Sequence, residues 1–347
     1  MFEAVKRSSI MSTDRDRSRS PVAQDIMTGS GVTKSVALMT PTYRGDLDRF
    51  ELLCESVDRF VSGYERHYVI VNDDDLPYFA RFENSRRTVL PSSRFLPSWL
   101  RAMPPFVSRK GRRTWWSFRS GPLHGWHIQQ LLKIAGALQL PHQRYCIVDS
   151  DNVFFRPFDV AAYAGADLTP LYVDRLAIPA DKPLHPVWVR NSDRLLGGST
   201  TAFPADDYIG NVLVWDKSTL RDMTATIEAV TGMPWAVALG KARSFSEYIL
   251  YGYFVNQSPT HRATHRLTTQ SLATSYWEPD QLDEKALLAM VDSSPPEVVA
   301  LCIESFSATP VSLIRKVAGL SNNDAPLQPQ GPASAQGANA VMTREAV

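Results

Sequence analysis

Cysteine is scarce in this 347-residue sequence. Cys54, Cys146 and Cys302 stand far apart, each among apolar neighbours, and none forms a CxxC pair. That spacing supplies neither a disulfide framework nor a thiolate zinc site, so buried, reduced thiols in a cytoplasmic protein are the simpler expectation. No run of about 18 apolar residues occurs, which argues against a membrane-spanning helix. The opening MFEAVKRSSIMSTDRDRSRS lacks the apolar centre of a secretory signal. Charge of one sign is missing too: 37 basic residues face 36 acidic ones, a net charge of +1. Nucleic-acid binding normally needs a concentrated basic surface, and no such partner is expected. Glycine is not gathered into a phosphate-cradling loop. The turn after the first apolar run reads TPTYRGD, which argues against a nucleotidyltransferase that grips a triphosphate.

What remains is a chain 44% hydrophobic, long enough to bury a large core in one main domain. Residues 1–33 and 319–347 have the composition of disordered tails and bracket a domain at 34–318. Inside it, strand and helix patterns alternate. Val36–Thr40 reads as a buried strand ended by Pro41. A helix pattern follows from Leu47 to Val61, with Asp46 placed as a candidate N-cap. Strands are then expected at 68–72, 145–148, 211–215 and 298–303, and helices at 125–139, 217–231 and 246–255. The Pro/Arg/Trp-rich stretch 84–122 shows no period and reads as loops and short pieces. Such alternation builds an α/β fold with a mixed, mainly parallel sheet flanked by helices.

In YCIVDSDNVFFRPF, a strand runs straight into Asp149-Ser150-Asp151, and apolar residues resume at once. An Asp-x-Asp alone is common and usually an exposed turn. At the end of a buried strand, however, bare carboxylates are costly without a cation, and that strand end is where α/β sheets bind ligands. Two acids so spaced can approach one hard cation and leave positions for phosphate oxygens. A metal-dependent phosphohydrolase or a non-catalytic nucleotide-sugar-binding protein would use the same pair.

The segments GWHIQQLLKIAGALQLPHQRYCIVDSDNVFFRPF, VALMTPTYRGD and FSEYILYGYF together resemble a family of uncharacterised bacterial GT-A-type glycosyltransferases (DUF6492-like) of polysaccharide synthesis. The resemblance spans residues 35–316 or so. It implies a GT-A-like, Rossmann-related fold, a nucleotide-diphosphate sugar donor, Mn2+ or Mg2+ at Asp149 and Asp151, and a saccharide or lipid-linked acceptor. Peripheral membrane association stays open. In that arrangement the loop after the first strand and an acid after the second cradle the nucleotide, which singles out Thr40, Thr42 and Asp73.

On the helix 125–139, Ile128, Leu131, Leu132, Ala135 and Leu138 form an apolar face, while Trp126, Gln130 and Lys133 share the opposite one. Periodicity alone fits a solvent face with a stray Trp as well as it fits a donor site. The resemblance favours a donor site, most of all for Lys133. Glu247, in the first turn of a helix capped by Ser246 or Ser244, is a second acid set apart from the metal pair. It is expected to act on the acceptor hydroxyl or the reacting sugar. His261 and His265 lie four apart, and His265 is a candidate third metal or diphosphate contact. Glu304, at a late strand end, is a weaker acidic candidate.

Overall fold

In the computed structural model, which describes residues 35–104, 113–165 and 167–320, the first apolar run is the middle strand of the main sheet. β1 (Val36–Pro41) is buried along its whole length. Val36 and Leu38 join one apolar cluster with Phe50, Leu53 and Val57, whereas Ala37 and Met39 join a second with Ile128, Leu131 and Ala135. Successive side chains on a strand point to opposite faces, so a strand covered on both sides reads as an unbroken apolar run.

The elements that frame the site follow in chain order. α1 (Leu47–Phe60) covers the first face of β1, and β2 (Arg66–Val71) and β3 (Arg87–Pro91) extend the sheet. α2 (Gly125–Gln139) covers the second face and leads into β4 (Arg144–Ile147). Then come β5 (Asn152–Phe154), β6 (Leu213–Asp216), α3 (Lys217–Thr231), α4 (Glu247–Gln257), β7 (Ala273–Tyr276) and β8 (Ala300–Ile303). The main sheet has the order β6-β4-β1-β2-β3. Its last four strands are mutually parallel, and β6 runs antiparallel at one edge. A three-stranded sheet, β7-β8-β5, stands beside it, with β8 parallel to β7 and antiparallel to β5.

This is a mixed α/β domain of helices and several small sheets, and the described residues all fall in one compact unit. Gly136 lets α2 approach the sheet closely: a Cβ there would sit 2.9 Å from Ile70 Cδ1 and 3.0 Å from Met39 Cε. Within 84–122, expected as loops and short pieces, Arg87–Pro91 forms an edge strand that pairs in register with β2 from His67 to Val71. An edge strand with only two central apolar residues, bounded by Arg and Pro, leaves little periodic signal. The expected tails lie outside the described residues except for Gly319 and Leu320, and Leu320 packs with Ile303 and Ile314. Among the described residues no helix is long and apolar enough to cross a membrane.

Candidate functional site

β1 and β4 are parallel neighbours, so the segments after them emerge at the same end of the sheet. Asp46 follows β1, and Asp149 and Asp151 follow β4. The chain then passes into β5 and the second sheet, where β8 returns antiparallel beside it, and Ile303 N–H donates to the Asp151 carbonyl at 3.2 Å. That pairing sets Glu304 against the acidic pair.

Four carboxylates therefore gather at one sheet end. Asp46 was expected to cap α1, yet its side chain makes no cap bond; it accepts from Ser150 Oγ at 3.3 Å. Burial and the charge of Asp149 raise the Asp151 pKa to about 7. Burial, Asp151 and Asp149 raise Glu304 to about 8. Burial raises Asp46 to about 6, against the pull of the Ser150 hydrogen bond. One nearby cation, Arg49, donates to the carbonyls of Ile303 and Ser307 at 2.6 and 3.2 Å. Burial first, and the neighbouring carboxylates second, disfavour the ionised form of these acids in the absence of a bound cation.

The donor set fits a cation. The carboxylates of Asp151 and Glu304 and the Sγ of Cys302 offer ligand atoms within 4.8 Å of one another. Asn152, 1% exposed, donates through Nδ2 to the Asp149 carbonyl at 3.0 Å and to Asp151 Oδ1 at 3.4 Å. Its buried Oδ1 has no partner. A buried acceptor left without a donor is an exception that calls for an ion or an ordered water. Cys302 is fully buried, and burial together with Asp151 and Glu304 holds its thiol pKa well above the usual range.

Beside this cluster lies a buried cation. Lys133 is 3% exposed, and its Nζ stands 2.9 Å from Asp149, from Glu247 Oε1 and from the Tyr248 hydroxyl. Burial opposes the ammonium, but Asp149, Glu247 and Tyr248 outweigh it, so the lysine pKa lies well above its ordinary value. Burial pushes Glu247 upward, and Lys133 pulls it back. Gln130, 1% exposed, accepts the Glu247 backbone N–H at 3.1 Å, and Ser246 caps α4 through Ile249 N–H as expected. The polar face of α2 is therefore no solvent face at Gln130 and Lys133. Trp126, one to two turns earlier, is 50% exposed and packs at 5.5 Å on Trp188.

The remaining candidates divide. Thr40 is buried, with its hydroxyl 3.0 Å from His67 Nε2. Thr42 Oγ1 is buried without a partner. Asp73 accepts from Ser93 N–H at 3.1 Å and Ser92 Oγ at 3.4 Å, while Asp75 is the buried member of its trio and accepts from Arg44 N–H and Asn72. His265 is not brought to the acids. Its Nε2 meets the Tyr251 hydroxyl at 2.9 Å and its Nδ1 the His261 carbonyl at 2.7 Å, and Tyr251 also takes the Asp216 N–H. Asp216 pairs with Arg144, at the opposite end of β4 from Asp149. With both ring nitrogens engaged there, His265 is removed from the metal set.

A family model described as a family of unknown function (DUF6492) matches residues 32–317, well over half of the chain. The chain belongs to this family. No curated protein matches it. In this DUF6492 member, the candidate site also gathers three residues whose place the sequence pattern does not mark: Asp46, which reads as a candidate cap; Cys302, which reads as a buried, reduced thiol; and Tyr248 beside Glu247. Glu304, the weaker acidic candidate of the sequence, lies with Asp151 and Cys302. Its signal was the same as that of Asp149: an acid directly after an apolar strand.

Proposed function

We propose that this protein is a glycosyltransferase of GT-A-like arrangement that moves a sugar from a nucleotide-diphosphate donor to the hydroxyl of a saccharide or lipid-linked acceptor. The observation that carries this reading is the surplus of carboxylates at the C-terminal end of parallel strands, next to one buried lysine. A divalent cation such as Mn2+ or Mg2+, when bound, supplies charge neutralisation for the diphosphate leaving group. Asp149 and Asp151 bind on the metal side, and Glu304 adds a further carboxylate there. Lys133 contributes fixed positive charge where the phosphates gather negative charge.

Glu247 acts through Lys133 in this reading. Its side chain is 4% exposed and ion-paired, so it positions and charges the lysine instead of meeting an acceptor hydroxyl. Thr42 and Asp73, on the loops after β1 and β2, suit the base and ribose of the nucleotide. Trp126 presents a flat apolar surface on the helix that also carries Lys133, which suits a sugar ring. A thermal-shift panel of nucleoside diphosphates with and without Mn2+ tests the proposal. UDP or GDP should raise the melting temperature only when the metal is present. The absence of any nucleotide-dependent shift, with every divalent metal tried, would sink it.

A further inference from the structure

The acidic cluster has one member that an oxygen-only Mg2+ site would not use. Cys302 lies at the centre of β8, fully buried, with its Sγ within 4.8 Å of a carboxylate oxygen from Asp151 and one from Glu304. Directly opposite Cys302 in the antiparallel β5–β8 pair is Asn152. Side chains directly opposite in such a pair share one face. The two hydrogen bonds from Asn152 Nδ2, to Asp151 Oδ1 and to the Asp149 carbonyl, fix the orientation of the amide. They leave Oδ1, on the face it shares with Cys302, buried and without a partner.

We propose that Asp151, Cys302 and Glu304, beside the buried and unpartnered Asn152 Oδ1 on the neighbouring strand, form a mixed thiolate–carboxylate site for a thiophilic transition ion of the Zn2+ or Co2+ class. It rests on the reading that a metal sits at these acids, but not on what the protein transfers. Bond lengths of about 2.3 Å to sulfur and about 2.0–2.2 Å to oxygen put tetrahedral ligand atoms about 3.5 Å apart. Rotation of the Asp151 and Glu304 side chains supplies that closure, because both are only half-buried. The thiol proton is released to water as the metal–sulfur bond forms. Sulfur ligation favours zinc-like ions, whereas Mg2+ prefers oxygen ligands and retains its waters. Cys302 would thereby set which metal the site takes.

The test is Co2+ titration of the full chain, read by the thiolate-to-cobalt charge-transfer band in the near ultraviolet. A stoichiometric band is expected in the wild type. It should persist when Cys54 and Cys146 are both replaced by alanine, and vanish in Cys302→Ser with far-UV circular dichroism unchanged. Zn2+ should displace the Co2+ and bleach the band, whereas Mg2+ in excess should not. Co2+ binding without the band would overturn the thiolate ligand and leave the carboxylate metal site standing. No binding of Co2+ or Zn2+ at all would also overturn the proposal. A nucleotide-dependent thermal shift with Mn2+ or Mg2+ in that same protein would then keep the transferase reading alive.

Discussion

Lys133 Nζ lies 2.9 Å from Glu247 Oε1, and each of the two side chains is only 4% exposed. The pair closes a gap of 114 residues, and the same ammonium also meets Asp149, whose side chain is 22% exposed. Removing one partner of a buried ion pair leaves an uncompensated charge, which typically costs about 3–5 kcal/mol. Lys133→Ala should lose stability on that scale in urea denaturation. Lys133→Met combined with Glu247→Gln should recover much of it, since neither charge is then stranded and Asp149 turns to solvent. If the double variant is no more stable than the single one, the pair is not what makes the lysine costly to remove.

The acids predict a pH dependence opposite to ordinary acid denaturation. Asp151, Glu304 and Asp46 have folded-state pKa values of about 7, 8 and 6, raised from an ordinary carboxyl range of about 4. Each binds its proton more tightly folded than unfolded. Their contribution is therefore full below the unfolded pKa and is lost as pH rises through the folded values. With a chelator present, the melting temperature should decline from about pH 5 to about pH 8.5. Mn2+ should restore it at the upper pH and do less at the lower, where protons hold the sites. Scanning fluorimetry with and without EDTA reads both arms, and a metal effect larger at low pH would contradict the assignment.

His265 carries the other sign. Burial lowers its pKa to about 4 from the usual value near 6.5. Stability is present above the unfolded value and is lost as pH falls through the folded one, by about 3 kcal/mol in all. His265→Gln should flatten the urea midpoint between about pH 6.5 and about pH 4. Metal affinity in that variant should equal the wild type, because the histidine sits with Tyr251 and the His261 carbonyl. A loss of metal binding would return His265 to the site.

How much of this was legible follows from what each signal encodes. The helices at 125–139 and 217–231 match Gly125–Gln139 and Lys217–Thr231, because long amphipathic periods with clear ends are local properties. Periodicity also placed Gln130 and Lys133 on one face, but not what covers that face. The covering residues, Glu247 and Tyr248, come from α4, far along the chain. Asp46 stood where a cap belongs, and only tertiary packing directs its carboxylate to Ser150. Glu304 and Cys302 were hardest to place. Their link to Asp151 depends on β8 pairing antiparallel with β5, and no local pattern marks two strands about 150 positions apart as partners.

Trp126 offers a test of the sugar-facing surface that does not touch the charges. Half-exposed and packed at a tilt against Trp188, it contributes little to the core, so Trp126→Ala should change stability by no more than about 0.5 kcal/mol. If the ring carries a sugar, KM for donor or acceptor should rise while the metal-dependent shift with UDP or GDP persists. Unchanged kinetics with every substrate would reduce Trp126 to a surface residue.

Asp151 separates a functional cost from a structural role. Half-buried beside Asp149 and Glu304, it raises the free energy of the metal-free fold at neutral pH, because burial first, and the charge of Asp149 second, disfavour its ionisation. Asp151→Asn removes one of those charges while keeping size and hydrogen-bonding capacity. The metal-free variant should melt higher than the wild type at about pH 8, and it should lose metal binding and donor turnover. A residue kept for stability would show the reverse, a lower melting temperature with activity falling only in proportion to the unfolded fraction. Gain of stability with loss of function is the trade expected where charges are held together for a ligand. A less stable variant that still turned over donor would refute both halves of the assignment.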